Sequence, residues 1–308
     1  MSLKPHPSPN IKACFLCNSQ RISMSQRRRS IKFYKIHSYF RCYDCKAYSL
    51  FPKLEDGEIE NLYSASYIED VNPEFNLNEQ VVFNRFLELQ ETLQEYNIQG
   101  NREFLDYGCG ANAEVLLLAS ELGYKANGVE VEATTREKAA LKSGCPVLSP
   151  EELLTSGKEF DFIFLGDVLE HLCDPLDVLS QVESALSSKG LLIIQGPLEG
   201  SLTISNTLLS IKAKLLSKKP SEFPPYHVSL ATRKSIVRAL KINGLSLQKF
   251  IVNEPLWPAS RFGTKSSIVS FSAFAFSFTK LIDIMLSKII ANYGTRFYLL
   301  ASKSDGQK

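Results

Sequence analysis

FLDYGCGANAEVLLLASELG, from Phe104 to Gly123, is the stretch that decides the fold. Phe104 and Leu105 close an apolar strand, and Gly108 and Gly110 permit a turn at positive φ that a ligand can approach closely. Val115, Leu116, Leu118, Ala119 and Leu122 then recur at helical intervals until Gly123 can cap the helix. A strand, a glycine turn and a helix in that order aim backbone N–H groups at a ligand.

The spacing of Gly108, Gly110 and Ala113 satisfies the dinucleotide fingerprint, and Glu130, at the end of a second apolar strand ANGVEVE, suits ribose hydroxyls. A nicotinamide dinucleotide, and with it an oxidoreductase, is one reading. Asp106, however, stands two residues before the first glycine, where a carboxylate serves an ammonium better than a pyrophosphate. S-adenosylmethionine carries both an ammonium and a ribose, so Asp106 and Glu130 fit it as one extended ligand.

The 308 residues suffice for one α/β domain and a small appendage, and 44% hydrophobic content fills a sizeable core and excludes disorder. The formal charge of +2 is unevenly spread: residues 1–53 hold eleven Lys and Arg against the single Asp44. The amino-terminal piece is thus a separate electrostatic object. Met1 to Asn10 is polar and no apolar core follows, so no secretory signal is read and a reducing cytoplasm is expected. There, Cys14 and Cys17 with Cys42 and Cys45 form two CxxC pairs whose spacing suits tetrahedral Zn²⁺, with redox-active cysteines as the other reading. A zinc ribbon over 1–54 would gain its folding free energy largely from that structural metal.

An acidic, tyrosine-bearing linker and a helix over Asn78 to Tyr96 fill 55–100. From 101 onward strands and helices alternate: ANGVEVE, a helix closed by Gly144, CPVLS, FDFIFLG, a helix from Pro175 to Leu186, and GLLIIQGP. Such alternation predicts a parallel doubly wound sheet with helices on both faces. A lysine-bearing insertion near 201–227 follows, then a helix over Ser235 to Asn243 and two last strands, LQKFIVN and RFYLLAS. The apolar amphipathic segment 266–290 is interrupted by Lys280, Asp283 and Lys288 and is too short to span a bilayer. Ile268, Phe271, Phe274, Phe278, Ile282 and Met285 share one of its faces, which is expected to cover the sheet, with a second subunit or a membrane surface as other occupants.

Together FLDYGCG, GVEVE and FDFIFLGDVLEHLCDP resemble the motifs of class I S-adenosylmethionine-dependent methyltransferases, in the branch acting on small molecules, sugars and quinones. CFLCN and RCYDCKAYSLFPKLEDGEIENLYSASY resemble the zinc-binding domain and tyrosine linker that precede such enzymes in sugar and natural-product pathways. The likeness covers about residues 14 to 250, and it departs from the pattern at the third loop glycine, which is Asn112 or Ala113 here, at Glu130, where aspartate is commoner, and after Glu254, where it ends. It implies a Rossmann-like sheet of about seven strands with the last antiparallel. It also implies that Asp106 holds the methionyl amine, that Gly108 and Gly110 allow close approach, and that Glu130 accepts the ribose hydroxyls. Val131 would pack on adenine, Asp167 would line the cofactor with main chain, and Tyr67, with Tyr63, would fold over it as a lid.

Methyl transfer to a neutral nucleophile needs a base, and His171, just past a strand's carboxyl end, and His227 in the PPYH loop are the candidates. The expected acceptor is a small molecule, plausibly anionic or sugar-linked given the basic ribbon and the lysine-bearing insertion. An RNA acceptor is the rival, because Arg27, Arg28 and Arg29 lie in the basic module. Against it, GDVLEH replaces the Asn-Pro-Pro-Tyr type motif of many base N-methylases.

Overall fold

Two CxxC turns of the same build lie in the first two described stretches of the chain. The structure, a computed structural model, describes residues 12–32, 35–55, 57–59, 86–96, 102–208, 211, 226–254 and 271–304. In the first turn Asn18 N–H donates to the Cys14 carbonyl (2.8 Å) and Cys14 N–H to the Ser19 carbonyl (2.9 Å). In the second, Lys46 N–H donates to Cys42 (3.1 Å) and Cys42 N–H to Ala47 (2.8 Å). Asn18 (φ 54°) and Lys46 (φ 69°), each directly after a pair's second cysteine, adopt the left-handed conformation that closes the turn. Between the turns run β1 (Ile22–Lys32) and β2 (Lys35–Cys42), an antiparallel hairpin, and β3 (Tyr48–Phe51) pairs with β2 after the second turn.

α1 (Leu87–Tyr96) precedes the main sheet. Then come β4 (Glu103–Tyr107), α2 (Glu114–Glu121), β5 (Lys125–Val129), α3 (Ala133–Ser143), β6 (Val147–Leu148), α4 (Pro150–Ser156) and β7 (Phe160–Gly166). α5 (Pro175–Ala185), β8 (Leu186–Pro197), β9 (Ser229–Leu230), α6 (Arg233–Ile242), β10 (Leu245–Asn253), α7 (Phe271–Ser287) and β11 (Arg296–Lys303) complete it. The seven-stranded sheet runs β10-β11-β8-β7-β4-β5-β6, parallel except for β11, which is antiparallel to both neighbours. Period-two alternation loads both faces. Leu105, Ile163, Leu165, Leu192 and Ile194 meet α4, α5 and α6 on one side, and Phe104, Phe162, Phe164 and Ile193 meet α1, α2 and α3 on the other. The crossover reverses at β4, so the carboxyl ends of β4, β5 and β7 open one crevice, the usual ligand position in such sheets.

The Rossmann-like sheet with its antiparallel last strand is as expected, but the amino-terminal module does not end at residue 54. β9, which lies 175 or more residues downstream in the chain, pairs antiparallel with β3 as the fourth strand of the module's sheet. Cys14, Cys42, Cys45 and Ala47 share one buried cluster with Ala231, Ile236 and Leu299. The helix expected from Asn78 is described only from Leu87, and most of the insertion lies outside the described residues.

α7 differs from expectation. Phe278 and Met285, assigned to its buried face, are 56% and 58% exposed, whereas Asp283 is fully buried. The Asp283 carboxylate accepts the Ile204 and Ser205 N–H groups (3.0 Å each) and both the Ser205 and Tyr293 hydroxyls, so it caps the helical turn at 204–208. Among the described side chains of that helix, the satisfied polar anchor Asp283 is buried where Phe278 and Met285 are not. No helix among the described residues is long and apolar enough to cross a membrane.

Candidate functional site

Asp106 is the penultimate residue of the central strand β4, 3% exposed, with its backbone in register with Gly128 of β5 and Phe164 of β7. Burial, reinforced by the charge of Glu130, pushes its carboxyl up to about 8. Among the described residues no cation is paired with it. The turn after it is held by Gly108 and Cys109 N–H groups donating to the Val129 carbonyl (2.8 and 3.1 Å). Gly108 is at φ +82°, and a Cβ there would lie 2.7 Å from Val168, so the residue must be glycine for the loop to lie against β7's following turn. Gly110 is at φ +62° and its N–H donates to Glu130 (3.0 Å), whose other oxygen accepts from Val131 N–H (2.9 Å). Val131 is 58% exposed beside this carboxylate, an apolar surface at the crevice.

Beyond β7 the chain makes a short turn that carries a second group of ionisable side chains. Asp167 (φ 56°) bonds Arg296 (2.6 Å), and its N–H donates to Gln195. The antiparallel course of β11 is what brings Arg296 to this edge, 129 residues away in sequence. His171 Nδ1 lies 2.9 Å from the Tyr226 carbonyl, so it donates there and leaves Nε2 as the acceptor, 3.9 Å from Glu170 Oε1. His227 Nδ1 lies 2.7 Å from Glu199 Oε2, and the two imidazoles meet edge to face at 4.9 Å between centroids.

The two histidines are driven apart in basicity. Burial, and then the charge of His227, bring His171 down to about 4. Burial also works against charging His227, but the Glu199 bond and the charges of Glu199, Glu170 and Asp167 outweigh it and raise the ring to about 9. Burial first, and then Asp167, push Glu170 up to about 8. At neutral pH the pair is one neutral and one protonated imidazole.

The four cysteines of the amino-terminal turns converge. Sγ of Cys14 lies 3.5 Å from Cys45, and Sγ of Cys17 lies 3.7 Å from Cys42, close to the ~3.8 Å edge of a tetrahedron with Zn–S bonds near 2.3 Å. Asp44 and Cys45 N–H groups point at Cys42 Sγ (3.4 and 3.5 Å). This donor set fits a structural metal.

The structure thus brings Asp106, Gly108, Gly110, Glu130 and Val131 around one crevice, Asp167, His171 and His227 beside it, and Cys14, Cys17, Cys42 and Cys45 into one cluster. Tyr67 and Tyr63 lie outside the described residues, as do the side chains of Arg27, Arg28 and Arg29. Glu199 and Arg296 were not singled out in the sequence: one follows a strand by two residues, the other starts a strand, and neither belongs to a motif. Glu170 stood inside GDVLEH with no role assigned.

A Rossmann-like sheet with a glycine turn after its central first strand and acids at the ends of that strand and the next defines a class I methyltransferase architecture. The family model described as a methyltransferase domain matches residues 82–249, and the chain belongs to that family: it is an S-adenosylmethionine-dependent methyltransferase. Among solved structures it is similar in fold to magnesium protoporphyrin IX methyltransferase from Synechocystis PCC 6803 with bound S-adenosylhomocysteine. That match has a TM-score of 0.50 and 14% identity, covering 81% of this chain and 100% of that one. Geranyl diphosphate C-methyltransferase from Streptomyces coelicolor A3(2) matches at TM-score 0.46 and 16% identity, over 75% of this chain and 87% of that one. No curated protein matches the chain.

Proposed function

We propose that the enzyme methylates a small-molecule acceptor, a sugar or another biosynthetic intermediate, with His227 as general base. The observation that carries this reading is the His227–Glu199 pair beside His171, next to the crevice that Asp106 and Gly108 shape. S-adenosylmethionine, when bound, supplies an electrophilic methyl on a sulfonium. Asp106 holds its amine, Gly108 and Gly110 let the backbone approach, Glu130 exchanges its N–H partners for ribose hydroxyls, Val131 covers adenine, and Asp167 lines the site with main chain. The chain's task is then to align the acceptor with the methyl and remove its proton.

His227 is the better base because an imidazole near 9 retains an abstracted proton that one near 4 would return. Once His227 is neutral, Glu199 fixes its tautomer with Nδ1–H donated to the carboxylate and the lone pair on Nε2, as a carboxylate does for histidine in hydrolase triads. His171, neutral, offers Nε2 to a second acceptor hydroxyl. Asp167 pairs with Arg296 and Glu199 with His227, while burial keeps Glu170 largely protonated, so the reacting end carries no excess charge and suits a neutral hydroxyl or amine. Zn²⁺ held by Cys14, Cys17, Cys42 and Cys45 completes the reading, as structural metal with no open position.

The test is label transfer from S-adenosylmethionine into a lysate fraction, with and without RNase, across pH. Label in small molecules, at a rate rising about tenfold per pH unit below 9 and levelling above it, supports His227 acting in its neutral form. A Glu199→Gln variant should move the break to lower pH, and His227→Gln should lose roughly 10²–10⁴-fold in rate. RNase-sensitive label, or a profile flat from pH 5 to 9, contradicts the reading.

A further inference from the structure

The amino-terminal module holds the backbone of His227 as well as packing near it. Tyr39 on β2, three residues before Cys42, donates its hydroxyl to the His227 carbonyl and is 7% exposed. Leu50 on β3, just past the Cys42–Cys45 turn, donates its N–H to the Val228 carbonyl (2.9 Å). Thr232 Oγ1 donates to the carbonyl of Cys45 itself (2.7 Å), and β9, which begins two residues after His227, is hydrogen-bonded to β3. From the catalytic side Val228 N–H donates to the Glu170 carbonyl (2.8 Å) and Ser229 Oγ to Leu169 (3.2 Å). The segment from His227 to Thr232 is therefore clamped between the four-cysteine module and the turn carrying Glu170 and His171. Phe15, Tyr39, Leu50, Phe51, Leu54, Val228 and Leu230 fill the seam in one buried cluster.

Among the described residues, the glycine turn of the cofactor crevice is hydrogen-bonded to the main sheet and not to the module. Gly108, Cys109 and Gly110 bond Val129 and Glu130, all within the main sheet and its loops. The two halves of the site thus hang from different supports.

We propose that Tyr39 is a positioning residue for methyl transfer and that the metal-loaded module sets the placement of His227, so that the module governs turnover and leaves cofactor affinity alone. The proposal rests on the reading that His227 meets the acceptor. It assigns the ribbon a task its position at the chain's start does not suggest. Tyr39, Leu50 and Thr232 all attach within a few residues of Cys42 or Cys45, so opening that turn releases every tether at once. A displacement of about 1 Å in a catalytic group can cost on the order of 10² in rate, while buried donors left unpaired report the same event as local loosening.

The full-length protein tests this with ¹⁵N-histidine labelling, S-adenosylhomocysteine calorimetry and label transfer from S-adenosylmethionine into a lysate small-molecule extract. Tyr39→Phe removes one hydroxyl. The expected result is a shifted His227 imidazole resonance and titration midpoint, label transfer down about tenfold or more, one bound zinc per chain, and S-adenosylhomocysteine affinity within about twofold of wild type. Chelating the zinc from wild type should move the same resonance further, keep calorimetric binding, and be reversed by added Zn²⁺. An unmoved His227 resonance in both samples overturns the proposal, as does loss of S-adenosylhomocysteine binding together with zinc, because the module would then support the whole fold alike. If His227→Gln leaves label transfer intact while Tyr39→Phe still moves the resonance, the base assignment fails and the tether stands.

Discussion

Asp106 is a carboxylic acid that burial keeps largely protonated at neutral pH. Buried at the centre of the sheet edge and facing the charge of Glu130, it is held at about 8 in the folded chain, above its ordinary value. A raised carboxyl favours folding at pH below its unfolded value, and that contribution is lost as pH climbs through about 8. Asp106→Asn should therefore raise the melting temperature of the ligand-free protein above pH 7 while weakening cofactor binding. Binding an ammonium beside it should ionise the acid: calorimetry of S-adenosylhomocysteine at pH 7 in buffers of different ionisation enthalpy is expected to show release of close to one proton, absent in Asp106→Asn. Asp106 and Glu130 were legible in the sequence because a strand–turn–strand order fixes their place locally. Glu199 and Arg296 were not, since their meeting with His227 and Asp167 depends on the return of two distant strands. Ala113, at φ 51°, adopts the left-handed conformation that glycine takes most readily, although the sequence offers no glycine there.

At the scale of elements, long periodic segments declared themselves and short or anchored ones did not. The strands from Phe104 to Gly196 follow their apolar alternation closely. α4, seven residues long, is held by a capping box in which Ser149 and Glu152 serve each other, a signal readable in SPEE but passed over behind the short strand before it. β9 has two residues, too few for any period, and owes its existence to the edge that β3 offers. In α7 the hydrophobic stripe suggested one buried face, yet the bonds from Ser205 and Tyr293, acting against burial, hold the Asp283 carboxyl below its ordinary range and dock another. Asp283→Ala should strip the 204–208 turn of its carboxylate cap and take away the acceptor of the Tyr293 hydroxyl, leaving that oxygen only the Ile204 N–H (3.0 Å). A loss of about 2 kcal/mol, roughly 5 °C in melting temperature by differential scanning calorimetry, is expected.

At the scale of the molecule, charge and cysteine spacing foretold a separate amino-terminal module, and the fold interleaves it with the catalytic domain. The chain makes its four-cysteine turns first, builds the parallel sheet, and returns at β9 to close the module's own sheet, carrying His227 into place on the way. That closure is invisible to any local reading, for the contact joins residues 188 apart. Everything else about the site presumes that the crevice at Asp106, Gly108 and Glu130 takes S-adenosylmethionine. Isothermal calorimetry of S-adenosylhomocysteine against wild type, Asp106→Ala, Glu130→Ala and His227→Gln tests that most directly. Saturable binding to wild type, weakened about tenfold or more in each acid variant and unchanged in His227→Gln, is the predicted result. Binding indifferent to both acid substitutions, or no binding where NADH instead raises the melting temperature, would contradict it.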